Sequence, residues 1–169
     1  MTWLSNTSSP TPANNDSPSE QHIERVYRDI IRLGANAYDR LLPETRALPG
    51  IIHPDEALRG IVYGRYTWQT EHSVVGHGAL VATDRRVLLV NNKPLFAESD
   101  EIGYRAISAV SYSRVWPLCV VVLHTRVGDI HIRTFNDVCA RTFVGCIESF
   151  LVKLAQNGVA NGNNAPLET

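Results

Sequence analysis

The sequence predicts a mainly β domain: a seven-stranded antiparallel barrel capped by a C-terminal helix, with an extra N-terminal amphipathic helix. Three observations predict it. Residues 57 to 135 break at short intervals on Asx, Pro and Gly residues, the punctuation of meandering antiparallel strands. Residues 137 to 156 then carry Phe143, Ile147, Phe150, Leu151 and Leu154 on one helical stripe. Residues 18 to 42 show the same period ahead of the strands.

The 169 residues read as one domain whose ends, 1–17 and 157–169, are too polar to bury and are expected to be disordered tails. A core of about 130 residues remains, which buries roughly two-thirds of its unfolded surface. The net charge of −1 gives no whole-molecule drive toward nucleic acid or an anionic membrane. Lys93 and Lys153 are the only lysines, so basic charge is nearly all arginine. Cys119, Cys139 and Cys146 form no C-x-x-C pair and read as small core residues in a reducing compartment. With no basic, apolar leader and no apolar run near 18 residues, a cytoplasmic location is expected.

Each element has its own signal. Ser17-Pro18-Ser19-Glu20 suits a capping box, with Ser17 as N-cap and Pro18 at the first helical position. Behind it Ile23, Val26, Tyr27, Ile30, Ile31, Tyr38, Leu41 and Leu42 make an apolar stripe, loosened at Gly34. Pro43 and Leu48-Pro49-Gly50 end the helix and open a linker over 43–56. The strands are expected at 57–67, 76–82, 85–91, 94–102, 107–114, 117–125 and 129–135. Asn136 is placed to cap the last helix, Asp137 to Gln156.

Three motifs carry a resemblance. Gly78-Ala-Leu-Val-Ala-Thr83-Asp84-Arg85-Arg86-Val-Leu-Leu-Val90 is a strand, a T-D-R-R turn and a hydrophobic strand. Ile102-Gly-Tyr104-Arg-Ala-Ile107-Ser-Ala-Val110 leads into the next strand, and Leu123-His-Thr-Arg-Val-Gly128-Asp-Ile-His-Ile132 forms the last hairpin. In this order they resemble the bacterial pleckstrin-homology-like domains of the YokE type, over about residues 48 to 154. The resemblance implies a PH-like barrel over 57–156 that acts as a non-catalytic interaction module.

The residues themselves narrow the function. Thr83 and Asp84 can bond backbone N–H groups in a tight turn, after which Arg85 and Arg86 leave on opposite sides of the strand. Eukaryotic PH domains that hold phosphoinositides place a basic cluster in the first strand loop. Here that loop reads Gln69-Thr70-Glu71-His72-Ser73. An anionic lipid or small ligand would have to use Arg59 and Arg65, whose even spacing puts them on one face, together with Arg85 and Arg86. No H-E-x-x-H, G-x-S-x-G or phosphate loop is present, so no catalytic residue and no cofactor is expected. A two-residue turn at Val127-Gly128 would set His124 opposite His131, a weak metal candidate without a third ligand.

The stronger signal is excess apolar surface. Ala79 to Ala82, Val87 to Val90 and Val120 to Leu123 do not alternate as strands with one wet face should. Leaving such side chains in water forfeits about 1.5–3 kcal/mol each. Either the helix over Ile23, Tyr27 and Ile30 folds back on the sheet, or a second subunit covers it. Val120 and Val122 point outward in either case. The expected output is contact with a protein partner or with a second copy of the chain, with no nucleic acid and with membrane lipid as the alternative.

Overall fold

The computed structural model describes residues 18–70, 73–93 and 96–162. The tail expected at 1–17, including Ser17, lies outside them, as do 163–169. Seven strands follow three short helices: β1 Leu58–Gln69, β2 Val74–Thr83, β3 Val87–Lys93, β4 Phe96–Ile102, β5 Ile107–Val115, β6 Leu118–Thr125 and β7 Asp129–Thr134. The sheet order is β4-β3-β2-β1-β7-β6-β5 and every pairing is antiparallel. This is the PH-like plan. It departs from the expected barrel in one respect: among the described residues β4 and β5 do not pair, so the sheet stays open.

The open sheet is folded over like a sandwich, and β1 is the fold line. β1 pairs with β2 along its length but with β7 only from Arg65 to Gln69. One core therefore collects side chains from both halves, including Val62, Leu80, Leu89, Val121, Leu123, Ile130 and Ile132. The final helix closes it with Phe143 and Ile147, both fully buried. Tyr104 stacks on Phe150 of that helix with ring centroids 4.3 Å apart. Asn136 caps the helix as expected, its Oδ1 accepting from Cys139 N at 3.1 Å. The helix runs from Asp137 to Gly162, past the tail expected from Asn157. Cys119 and Cys139 are buried, Cys146 half-buried, and all three are free thiols.

The N-terminal helix is three helices: α1 Glu20–Arg32, α2 Ala37–Leu41 and α3 Pro43–Ile51. The final helix, Asp137–Gly162, is α4. The cap of α1 is Ser19, whose side chain accepts from His22 N. Gly34 ends α1 with φ +101°, the left-handed region that favours glycine. Its N–H donates to Ile31 O and that of Ala35 to Ile30 O, the doubled closure of a Schellman motif. Asn36 and Asp39 then form a reciprocal capping box that starts α2. The linker expected from 43 is mostly helix, because Pro43 occupies the first turn, where no N–H is required.

Breaking the helix changes its buried stripe. His22, Val26, Ile30 and Leu33 are buried, whereas Ile31, Tyr38 and Leu41 are exposed. With Leu48 and Ile52 they cover Ile61, Tyr63, Ala79, Val81, Leu88 and Val90 on the outer face of β1 to β3. That cover explains the unbroken apolar runs of β2 and β3. His22 locks it: its Nε2 meets Pro49 O at 3.0 Å and Ile52 O at 2.9 Å, and its Nδ1 meets Arg25 Nη2 at 3.1 Å. Two carbonyls at Nε2 require the hydrogen there and leave Nδ1 to accept. Ile30→Ala opens a cavity in this second core, and a loss of about 2–5 kcal/mol in urea unfolding is expected. An unchanged midpoint would show that the helices contribute no stability to the sheet.

Candidate functional site

The T-D-R-R turn forms as its residues dictate. Thr83 Oγ1 accepts from the N–H groups of Arg85 and Arg86 at 3.1 Å, and Asp84 Oδ1 accepts from Ala57 N at 2.9 Å. Arg85 reaches Asp55. Arg86 donates to both oxygens of Glu56 at 3.0 Å and to Glu101 at 2.7 Å. Glu56, which sequence reasoning missed, is 1% exposed. Burial pushes its carboxyl up, but hydrogen bonds from Arg86, Thr83 and His53 N together outweigh that and hold it at about 2. Arg86 is thus not an anion contact. Its guanidinium is occupied by two carboxylates of its own chain.

The remaining arginines also separate. β1 carries a bulge between Leu58 and Gly60, where its register against β2 shifts. An extra residue reverses the alternation of side chains, so Arg59 and Arg65 do not share a face. Arg59 lies with Cys146 and Lys153 of α4 beside the inner face. Arg65 lies on the outer side, in a cleft of about 470 Å³ between the N-terminal helices and the ends of β1, β2 and β7. The four-arginine surface expected for an anionic lipid is therefore dispersed.

The cleft gathers charged and aromatic side chains from the helices and the sheet. Across its floor His77 of β2, Arg65 of β1 and Arg133 of β7 sit in one register row. Directly opposed residues have Cβ atoms about 5 Å apart, so two arginines leave the sheet as neighbours. Neither makes a salt bridge among the described residues. On the helical wall stand two buried carboxylates, Asp39 at 4% and Glu44 at 7% exposure. Asp39 is satisfied by Asn36 N at 3.0 Å and Asn136 Nδ2 at 2.6 Å. Glu44 is not: its buried Oε2 has no hydrogen-bond partner among the described residues. Tyr63 closes the base, and burial pushes its phenol far above the ordinary range. Tyr38 and Phe135 stand at the rim, 71% and 77% exposed.

Arg133 could have been found from sequence, since it alternates outward beside Ile130 and Ile132 of β7. Glu44 and Asp39 could not, because their burial depends on how α2 and α3 turn back.

The histidine pair does not form. β6 and β7 pair as Val122 with His131 and Leu123 with Ile130, two residues away from the expected register. The turn centres on Arg126 and Val127 because Gly128, at φ +124°, takes the left-handed position after them. A Cβ on Gly128 would lie 2.0 Å from Gln69 O. His124 bonds Asp129 at 2.8 Å instead. Among the described residues no group of three or more His, Cys, Asp or Glu side chains could hold a metal. Of the expected contact surface, Ile30 lies wholly in the core, and Ile23, Tyr27, Val120 and Val122 are half-buried. At the start of α4 Asp137 is held at about 2, chiefly by the Tyr112 hydroxyl and then by Cys119 and Arg141. No helix among the described residues is long and apolar enough to cross a membrane. The loop residues Glu71 and His72 lie outside the described residues.

No family model matches the chain, and no curated protein matches it. Among solved structures it is similar to the Vps36 N-terminal PH domain, with 11% identity and a TM-score of 0.45, over 60% of this chain and 86% of that one. It is also similar to an N-terminally truncated linker-DH/PH fragment of p115-RhoGEF, with 12% identity and a TM-score of 0.39. That match covers 74% of this chain and 40% of the fragment.

Proposed function

We propose that the chain is a non-catalytic PH-like interaction module of the YokE type, working in the cytoplasm, whose output is protein–protein contact at the cleft between its N-terminal helices and its sheet. One observation carries this reading. The strongly exposed aromatic side chains among the described residues are Tyr38, Phe135 and Trp116, at 71%, 77% and 82%. Tyr38 and Phe135 line the cleft, and Trp116 is two residues from Leu118, which also lines it. Aromatic residues grouped beside arginine are the composition of binding hot spots. Elsewhere the polar groups that meet one another, such as His124 with Asp129 and Tyr112 with Asp137, join strands or start a helix.

The test is site-specific photo-crosslinking in cells. A benzophenone side chain at Phe135 is expected to give a discrete protein adduct, and the same probe at exposed Val152 of α4 is expected to give none. An adduct at twice the mass of the chain identifies self-assembly as the contact. Equal labelling at both positions would sink the proposal.

A further inference from the structure

We infer that the cleft receives an extended acidic peptide segment of a protein partner, whose carboxylate lies between Arg65 and Arg133. The inference rests on the protein-contact reading above and names the chemistry of the partner.

Two features of the cleft each ask for a different group. Arg65 and Arg133 are paired neighbours across β1 and β7 without a carboxylate among the described residues. Like charges directly opposed in a sheet repel, and an anion bridging them removes the repulsion while receiving charge-assisted hydrogen bonds. Tyr38, Leu42, Leu118 and Phe135 are apolar surface around these polar groups, and they require apolar neighbours on the ligand.

An extended peptide supplies both within a few residues. Its side chains alternate in direction, so an Asp or Glu can reach the arginines while flanking apolar side chains meet the rim. A phosphate, whether on a lipid or on a nucleic acid, fits worse, because it carries no apolar side chains beside its anion to meet Tyr38 and Phe135. The cleft's volume of about 470 Å³ lies within the range of sites that enclose a short segment.

The experiment is selection of phage-displayed random dodecapeptides on the full chain, followed by fluorescence anisotropy with the enriched peptides. Enriched sequences are expected to carry Asp or Glu beside Leu, Ile or an aromatic residue. Arg65→Glu and Arg133→Glu, both at exposed positions, are each expected to weaken binding by about tenfold or more while leaving the melting temperature unchanged. Arg133→Lys is expected to recover part of the affinity. Enriched peptides without an acidic residue, or acidic peptides that bind both Glu variants undiminished, overturn the inference. So does Arg65- and Arg133-dependent binding to phosphatidylserine vesicles that acidic peptide does not displace. If the Phe135 crosslink persists in the Arg65→Glu/Arg133→Glu chain, protein contact stands and the acidic-peptide assignment falls.

Discussion

Glu56→Ala is expected to destabilise the fold by about 2–3 kcal/mol, the cost of removing a buried carboxylate that accepts several hydrogen bonds, two of them from a charged donor. Glu56 lies between β1 and the T-D-R-R turn. It takes two hydrogen bonds from Arg86, one from Thr83 and one from His53 N. Losing it frees the start of β1 from the β2–β3 turn and returns Arg86 to Glu101 alone. Urea unfolding at pH 7 measures the loss, and an unchanged midpoint would refute the role given to this carboxylate.

The same group predicts a pH dependence with a definite sign. Its folded carboxyl titrates at about 2 against an ordinary value of 4.5. A depressed folded pKa contributes stability that is complete above the unfolded value and is lost as pH falls through the folded one. The original chain should therefore lose about 3 kcal/mol from this group between roughly pH 4.5 and pH 2. The Glu56→Ala chain lacks that component, so the difference between the two should shrink over this window. Asp55 and Asp137 are also held at about 2, by Arg85 and Tyr112 respectively, but both are well solvated and such pairs contribute little.

Gly64→Ala is expected to be comparably damaging, by about 3 kcal/mol, for a steric reason. A Cβ at Gly64 would stand 1.9 Å from Arg133 O and 2.8 Å from its carbonyl carbon. These are main-chain atoms of the neighbouring strand, so no rotamer change relieves the clash. β1 and β7 must part where the sheet folds over, which also moves Arg65 and Arg133 of the cleft. Gly145→Ala is the control. It lies exposed within α4 with nothing near its missing Cβ, and a gain of about 0.5–1 kcal/mol is expected. Thermal unfolding of both variants checks the pair, and a Gly64→Ala chain as stable as the original would rule out the close approach.

Much of the fold was legible because strand signals are local. Thr83-Asp84 and Val127-Gly128 mark their hairpins, and the alternation of Ile130 and Ile132 assigns the inward face of β7 without any tertiary knowledge. The doubled apolar runs of β2 and β3 foretold a covered outer face, and α1 and α3 supply the cover. Legibility failed where one residue changes a register. The bulge after Leu58 moved Arg59 to the face opposite Arg65, and the left-handed Gly128 displaced His131 from His124. The bulge touches only the first residues of β1, and a two-residue slip leaves every side chain on its own face, so the apolar pattern detects neither. The N-terminal stripe misled differently: Ile31, Tyr38 and Leu41 keep helical spacing, but Gly34 turns the chain and leaves them outside.

The sequence by itself determined the seven strands, the two-faced burial of the central ones, the T-D-R-R turn and the capped final helix. These follow from the nearest neighbours of each residue and from side-chain periodicity. Only the tertiary structure decided that the sheet stays open, that Glu56 rather than a ligand engages Arg86, and that Arg65 meets Arg133 beside Glu44. Those outcomes join residues up to 89 positions apart, from Glu44 to Arg133. They depend on how α2 and α3 fold back over a sheet bent at Gly64, and local preference does not encode that geometry.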